Sequence, residues 1–148
     1  MRDKAINTQI IEKMFLLSRL MKEGITFKGK VANLTLLQLQ ALTYIKSRKE
    51  VAMSDLAAMF AISLPTATVL SDKLIKEGFV KRVRSTKDRR VVNLVLKEGG
   101  KELLQTGLKQ RNAKLEQMLS FLTQAKKEQL LEILSALLAS IQTNNETT

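Results

Sequence analysis

The sequence contains no cysteine and no histidine, and these two absences exclude several kinds of chemistry. Without cysteine there are no disulfides and no thiol redox sensor, and without either residue no Cys/His metal site can form. Nucleophilic catalysis of the Ser-His or Cys-His type is excluded for the same reason, and no other acid–base constellation is visible. The sequence therefore predicts a protein that is not an enzyme and that uses no metal and no cofactor.

Proline, glycine and aromatic residues are scarce: the chain has one Pro, six Gly, five Phe, one Tyr and no Trp. So few turn-forming residues favour long helices over a sheet-rich fold. At 148 residues and 45% hydrophobic content, the chain is long enough to bury an aliphatic core. No segment approaches the roughly 20 apolar residues that span a bilayer, and charged residues interrupt the N-terminus. We therefore expect a cytoplasmic protein with no membrane partner.

Positive charge dominates the chain and is concentrated in one stretch. The formal net charge is +11, from 25 Lys and Arg against 14 Asp and Glu. Between positions 73 and 101, ten basic residues stand against three acidic ones, so this stretch carries a net +7. A local surplus of this size attracts a polyanion, either nucleic acid or an acidic membrane surface.

The middle of the chain has the pattern of a helix-turn-helix. Ser54 is expected to cap a short helix, and after a turn of about three residues Ser63 is expected to cap a second helix that runs to Glu77. Pro65 fits the first turn of that helix because no backbone N–H donor is needed there. Gly78 follows where a left-handed residue ends many helices.

Two runs rich in β-branched residues follow, at 79–84 and 91–96, and predict a β-hairpin. The polar connector between them, 85–90, contains three cations and is expected to form an exposed basic loop, which we call the wing. Gly99-Gly100 is expected to break the pattern before a long helix of about 101–120.

Further helices are predicted near both ends of the chain. One spans about Asp3 to Lys22, another begins at a capping box of Thr35 and Gln38, and the last begins after Thr123. The first helix has apolar residues on both faces, so we expect it to pack against its own domain on one side and another chain on the other. The predicted fold is mostly α with a small β-hairpin, and the N- and C-terminal helices form a dimerisation layer. The predicted regions of this one intertwined domain are the N-terminal dimerisation helix and loop (1–33), the winged helix-turn-helix (34–98) and the C-terminal dimerisation helices (99–148).

In this order and spacing, four local strings resemble the MarR family of transcriptional regulators. The strings are Asp55-Leu56-Ala57, the run LIKEGFV at 74–80, Asp88-Arg89-Arg90, and Gly99-Gly100 at the hairpin exit. The resemblance covers nearly the whole chain and is most specific over 54–100. It implies a symmetric homodimer in which the helix 63–77 enters the major groove of double-stranded DNA. The wing would then reach the neighbouring minor groove or its phosphates.

The exposed side of this recognition helix supplies the first set of candidate DNA contacts, which are Pro65, Thr66, Thr68, Val69 and Lys73. Threonine hydroxyls can bond base edges or phosphates, threonine and valine methyls can touch thymine methyls, and Lys73 suits a phosphate. The alternative, in which Thr66 is only a first-turn residue and Val69 an exposed hydrophobe, stays open. Val69 departs from the family, where its position is often basic. The opposite side of the helix is expected to pack through Ala67, Leu70, Ser71 and Leu74.

The wing supplies the second set of candidates, which are Arg84, Lys87, Asp88, Arg89 and Arg90. Asp88 precedes Arg90 by two residues, so its carboxylate is expected to pair with the guanidinium and direct it into the minor groove. The resemblance implies the same role for this Asp-x-Arg spacing. Arg84, Lys87 and Arg89 suit phosphates. The alternative is a solvated turn with an ion pair of no consequence.

The main hypothesis is a dimeric, sequence-specific transcriptional regulator, with repression favoured, at a pseudo-palindromic operator. The resemblance adds a small-molecule effector as a candidate partner. Polar residues that hint at its crevice, although a packing or surface role is favoured for them, are Tyr44, Arg19, Lys22 and Lys46. Two other readings stay open: a non-specific architectural DNA binder, and a protein-interaction adaptor whose wing faces an acidic partner.

Overall fold

A computed structural model describes residues 2–145, in which six α-helices and three short strands are found. In chain order the elements are α1 (Arg2–Gly24), a 3-10 turn (Gly29–Val31), α2 (Leu36–Arg48), β1 (Val51–Ala52), α3 (Met53–Met59), α4 (Leu64–Lys76), β2 (Val80–Arg84), β3 (Val92–Leu96), α5 (Glu98–Leu119) and α6 (Gln124–Asn145). The mostly α fold with a small sheet is therefore confirmed. The chain divides into two compact units, one ending at Arg111 and one beginning at Asn112. Of the described helices, none alone is long and apolar enough to cross a membrane; α3 and α4 meet that test only as a pair bent by 110°.

Capping residues set several helix ends. The Thr35 hydroxyl accepts the backbone N–H of Gln38 at 3.2 Å, and the Gln38 side-chain oxygen accepts that of Thr35 at 2.8 Å, which is the expected capping box. The Ser63 hydroxyl accepts the backbone N–H of Thr66 at 3.2 Å. Gly78 follows α4 with φ +79°, a conformation that glycine adopts without steric cost. These three predictions are confirmed.

The start of α3 differs from the prediction. The helix begins at Met53, and Ala52 occupies the cap position that was assigned to Ser54. Strand pairing is the reason, because β1 pairs antiparallel with β3 and places Ala52 opposite Asn93. This pairing keeps the backbone extended through Ala52, and the helix follows at once. The two-residue strand β1 therefore defines where the helix-turn-helix begins.

The expected break at Gly99-Gly100 is wrong, because both residues lie in the first turn of α5. The carbonyl of Lys97 accepts the N–H of Lys101 at 3.0 Å, so the helix starts before the glycines. A Cβ on Gly100 would lie 2.2 Å from the carbonyl oxygen of Phe79. Glycine is therefore needed at position 100 because two backbones approach closely there. In the sequence alone, the same glycine looks like a helix breaker.

The three strands form an antiparallel sheet in the order β1-β3-β2. In the hairpin, Val80 pairs with Leu96 and Arg84 with Val92. The core of the first unit is aliphatic, and each large side chain buried in it contributes about 1.5–3 kcal/mol. Its most deeply buried leucines and isoleucine, drawn from α2, α3, α4, β3 and α5, are Leu39, Leu42, Ile45, Leu56, Leu74, Leu94 and Leu104.

Helices α1 and α6 leave large apolar side chains uncovered. All residues from position 3 to position 20 of α1 are exposed, so the expectation that one side of α1 packs against its own domain is wrong for a single chain. The exposed large hydrophobic residues of α1 are Ile6, Ile10, Ile11, Met14, Phe15, Leu16, Leu17 and Leu20. Those of α6 are Leu131, Ile133, Leu134, Leu137, Leu138 and Ile141. Apolar surface of this extent is typical of a protein–protein interface.

Candidate nucleic-acid interface

Helices α3 and α4 meet at 110°, within the range of helix-turn-helix motifs. The turn between them depends on Ala61, whose φ of +50° is in the left-handed region. The N–H of Ile62 donates to the carbonyl of Ala57 at 3.0 Å, and that of Ala61 donates to the carbonyl of Ala58 at 3.2 Å. These two bonds satisfy carbonyls at the end of α3 and hold the left-handed residue in place.

The packed side of α4 is the one that the sequence predicted. The four residues expected to pack are all buried: Ala67, Leu70, Ser71 and Leu74. The Ser71 hydroxyl donates to the carbonyl of Thr68 at 2.9 Å and contacts the sulfur of Met53 at 3.3 Å, so this buried polar group is satisfied. With one side fixed against the core, the rotation of α4 about its axis is determined, and so is the side that it presents to solvent.

The residues predicted to read DNA lie on the side of α4 away from the core. Pro65, Thr66, Val69 and Lys73 are exposed, and Thr68 is half-buried. The hydroxyl oxygens of Thr66 and Ser63 are hydrogen-bonded at 2.8 Å. The Thr68 hydroxyl donates to the carbonyl of Leu64 at 2.9 Å. Both threonine hydroxyls are thus bonded within their own helix, and contact of this side with DNA remains a prediction.

The wing is shaped by the side chains of Ser85 and Asp88, which accept hydrogen bonds from backbone N–H groups. The Ser85 hydroxyl accepts the N–H groups of Lys87 and Asp88 at 3.2 and 3.3 Å. The carbonyl of Asp88 accepts a hydrogen bond from the N–H of Val91 at 2.9 Å, and the N–H of Ser85 donates to the carbonyl of Val91 at 2.9 Å. The predicted wing residues Arg84, Lys87, Asp88, Arg89 and Arg90 are all exposed. Ser85 was missed by the sequence analysis, although a serine at the start of a polar turn is a recognised turn signal.

The expected ion pair between Asp88 and Arg90 is wrong. An oxygen of the Asp88 carboxylate accepts the backbone N–H of Arg90 at 2.9 Å, and within residues 2–145 the two ion pairs found involve other residues. A backbone N–H two residues ahead is within reach of an aspartate without ordering a long side chain, so this turn forms at lower entropic cost than the ion pair. Asp88 therefore shapes the loop, and the guanidinium of Arg90 is left for another partner.

Asp88 could act through its hydrogen bond to the N–H of Arg90 or through its negative charge, and two substitutions that both remove the charge separate these possibilities. Asparagine keeps a side-chain oxygen that can accept the N–H of Arg90, whereas alanine does not. We expect Asp88→Asn to bind a specific DNA site roughly 30-fold more tightly than Asp88→Ala, since one hydrogen bond contributes about 1 kcal/mol in each of the two protomers. Fluorescence anisotropy on one labelled duplex measures the difference. Equal affinities for the two variants would instead assign the role of Asp88 to its charge.

An ion pair connects strand β2 to the recognition helix α4. The guanidinium of Arg82 on β2 pairs with the carboxylate of Asp72 on α4, and both side chains are about half exposed. An exposed pair contributes little stability, but it neutralises one cation of the basic stretch and the acidic group on the reading side of α4. Arg82 is one of the ten basic residues of positions 73–101, and its pairing with Asp72 was not predicted from the sequence.

Of the polar residues considered for an effector crevice, Tyr44 has a packing role. Its ring meets that of Phe60 edge to face at 6.4 Å, and the guanidinium of Arg48 lies 5.7 Å from its centroid. The ring contact joins α2 to the residue that follows α3, whereas the cation–π contact lies within α2, between residues four positions apart. Release by a small-molecule effector stays a prediction.

Comparison with known proteins agrees with this geometry. Residues 34–92 match the model of the MarR family. The HTH-type transcriptional regulator YfiV of Bacillus subtilis (strain 168) is 32% identical over 105 residues, which are 71% of this chain and 66% of that protein. The chain belongs to the MarR family. The matched region runs from the residue before the α2 cap to the first residue of β3, and it includes all ten predicted DNA contacts.

Two further relatives of this MarR-family chain extend the comparison. The HTH-type transcriptional repressor MdtR of B. subtilis (strain 168) is 28% identical over 109 residues, 74% of this chain and 70% of that protein. The chain thus spans about two thirds of the length of these two curated relatives. The solved structure of the transcriptional regulator BldR from Sulfolobus solfataricus superposes with a TM-score of 0.79 at 26% identity, covering 95% of this chain and 99% of that one. The similarity of fold therefore covers nearly the whole chain.

Proposed function

We propose that this chain is a dimeric, sequence-specific DNA-binding regulator that represses transcription from a pseudo-palindromic operator. The observation that carries the proposal is the placement of α4 and the wing. The helix has one side fixed to the core and one side exposed, and an ordered loop beside it presents Lys87, Arg89 and Arg90 to solvent. A helix of this kind fits the major groove, and an exposed arginine fits the neighbouring minor groove.

Each group of residues has its own part in this proposal. The exposed residues of the recognition helix contact base edges, and Lys73 binds phosphate. Arg90 enters the minor groove, while Arg84, Lys87 and Arg89 contact phosphates on either side of it. Phosphate contacts give affinity and fix the orientation of the protein, whereas groove contacts select the sequence. The net +7 of positions 73–101 thus attracts any DNA, and only a few of its residues choose among sites.

Dimerisation follows from the uncovered apolar residues of α1 and α6. A single winged helix-turn-helix offers few base contacts and would discriminate poorly among DNA sites. Two recognition helices spaced by about 34 Å would contact successive major grooves on one face of the duplex, and the selectivity of the dimer would be the product of the two. The exposed apolar residues of the terminal helices provide the surface through which two copies can associate.

The dimer is tested by placing a charge within the apolar face of α6. Leu134→Glu is expected to raise the dimer dissociation constant by roughly 100-fold or more, because each copy would bury an unpaired carboxylate in the interface. Light scattering after size exclusion should then report the monomer mass at micromolar concentration. Gln129→Glu, which puts the same charge on an exposed polar position of α6, should stay dimeric. A wild-type monomer at these concentrations would rule out the two-site mechanism.

Binding of DNA is tested on a duplex selected from a random pool by the full chain, compared with a scrambled duplex of the same length. A sequence-specific regulator should bind the selected duplex at least about a thousandfold more tightly at physiological salt, which is the lower end of the usual range of about 10³–10⁷. Affinity for the scrambled duplex should fall steeply as salt rises. Equal affinity for both would instead support an architectural DNA binder. Absence of binding to either would support a protein-interaction adaptor.

A further inference from the structure

The exposed side of α4, which is the side proposed to face DNA, is apolar in the N-terminal half of the helix. Pro65, Thr66 and Val69 are exposed there, at helical spacing, and Val69 is 70% exposed. Side chains that read bases by paired hydrogen bonds are arginine, lysine, asparagine, glutamine and the carboxylates. None of these residue types occurs between Ser63 and Ser71. A valine at the middle of a recognition surface has no bonding group to offer a base.

The hydroxyl groups of this region are already bonded within the protein. The Thr66 hydroxyl pairs with that of Ser63 at 2.8 Å, and the Thr68 hydroxyl donates to the carbonyl of Leu64 at 2.9 Å. The Thr68 hydroxyl could donate to a base edge only by giving up its bond to Leu64, and the Thr66 hydroxyl is already engaged with that of Ser63, where either oxygen can be the donor. Besides the acceptor lone pairs of their oxygens, the threonine side chains offer their methyl groups to DNA without breaking a bond.

The second half of the reading side is charged but does not replace the missing base readers. The Asp72 carboxylate is paired with the guanidinium of Arg82. Lys73 and Lys76 are exposed, and an ammonium group is suited to phosphate as a point charge. These lysines and the wing bring the helix to DNA. Val69 lies midway between Pro65 and Lys73 on the exposed side of α4, so it would be at the centre of a contact between this side and a groove.

We infer that the recognition helix reads thymine C5-methyl groups in the major groove, through Val69 with Thr66 and Pro65 beside it. The inference rests on the proposed function and specifies the chemistry that the bound DNA must present. The thymine methyl is the one apolar group on the major-groove edges of the base pairs, so it is the natural partner for an apolar reading surface. Each half-site should therefore contain thymine opposite Val69.

Uracil provides a direct test because it keeps the base-pairing and groove hydrogen bonds of thymine and lacks only the methyl group. The duplex selected by the full chain is synthesised once with thymine and once with uracil. We expect the uracil duplex to bind about fourfold more weakly for each methyl contact, and so roughly 16-fold more weakly with one contact per half-site. A scrambled duplex in both forms corrects for any general effect of uracil on DNA shape.

Two variants assign the effect to the helix. Val69→Ala should bind the thymine duplex more weakly and lose most of its preference for thymine over uracil. Because Val69 is exposed, this change leaves the core intact. Arg90→Ala is the matched control: it also binds weakly, but it should keep the full preference, since the minor groove contains no methyl group.

The outcomes separate the two proposals. If the selected duplex binds equally well with uracil but still better than the scrambled duplex, the methyl inference is overturned and the specific regulator stands. The role of Val69 would be overturned by a Val69→Ala variant that keeps the full thymine preference. If wild-type protein does not distinguish the selected from the scrambled thymine duplex, the proposed function itself fails.

Discussion

Arg90→Ala should weaken binding to a specific operator by roughly 30-fold or more while leaving the dimer and its helical content unchanged. The expected loss is about 1–3 kcal/mol for each groove-reading arginine, and a dimer contains two. Arg90 is exposed at the end of a loop whose backbone is fixed by Asp88 and Ser85. Its guanidinium takes part in neither of the two ion pairs found within residues 2–145. No ion pair or side-chain hydrogen bond found within residues 2–145 has to be broken before the guanidinium enters the groove.

A companion variant distinguishes a groove contact from a phosphate contact. Arg90→Lys keeps the charge but replaces a weakly hydrated planar group by a strongly hydrated ammonium. In a narrow minor groove the lysine should recover only part of the lost affinity, whereas at a phosphate it should recover nearly all of it. Anisotropy titrations on operator and scrambled duplexes at two salt concentrations give the comparison. An equal loss on both duplexes would make Arg90 a phosphate contact.

The local parts of the fold could be predicted because their causes lie within a few residues. The Thr35–Gln38 capping box and the Ser63 cap each join groups three residues apart, and Gly78 marks the left-handed end of α4. The buried side of α4 followed from the helical period, since the four residues expected to pack are all buried. The recognition helix could thus be placed, and its exposed side named, from the sequence alone.

Other features depend on contacts between distant segments, and these the sequence did not reveal. The start of α3 depends on the pairing of Ala52 with Asn93, forty-one positions away. The preference of serine for helix caps, on which the prediction at Ser54 rested, contains no information about this pairing. The Arg82–Asp72 pair joins a strand to a helix. At Asp88 the sequence offered two acceptable partners, the guanidinium of Arg90 and its backbone N–H. The structure shows that the backbone is bonded.

Within the candidate site, positions could be predicted better than chemistry. Four of the five helix candidates and all five wing candidates are exposed, as the sequence predicted, and Thr68 is half-buried. Threonine was expected to offer either its hydroxyl or its methyl, and the sequence could not decide between the two. The hydrogen bonds of Thr66 and Thr68 favour the methyl. The choice depends on side-chain geometry at two neighbouring turns, which periodicity does not describe.

Gly100→Ala should cost about 3 kcal/mol of stability, which makes it the largest folding effect that we expect from adding one methyl group. The new Cβ would lie 2.2 Å from the Phe79 carbonyl oxygen and 2.9 Å from a methyl of Leu96. That carbonyl cannot withdraw freely, because it accepts the N–H of Lys97 at 2.9 Å. The N–H of Phe79 is held in turn by the carbonyl of Leu74, also at 2.9 Å. Either α5 must shift or these bonds must weaken.

Gly99→Ala is the matched control, one position earlier in the same turn of α5. A Cβ there would meet only the Gly78 carbonyl oxygen at 3.5 Å, an ordinary contact. We expect this variant to be neutral or more stable by up to about 1 kcal/mol, since alanine is the better helix former. Thermal unfolding at one fixed protomer concentration should give Gly100→Ala a melting temperature roughly 6–16 °C below that of Gly99→Ala. Equal melting temperatures would show that the backbone of Phe79 yields without cost.

The same pair of variants tests how the recognition helix is held. Phe79 links the end of α4 to the start of β2, so a shift of its backbone moves the helix relative to the wing. Gly100→Ala protein that remains folded should therefore lose operator affinity while it keeps its affinity for scrambled DNA, because phosphate attraction tolerates small displacements and groove contacts do not. Gly99→Ala should bind both duplexes as wild type does. A folded Gly100→Ala protein with normal operator affinity would show that α4 and the wing are positioned without this contact.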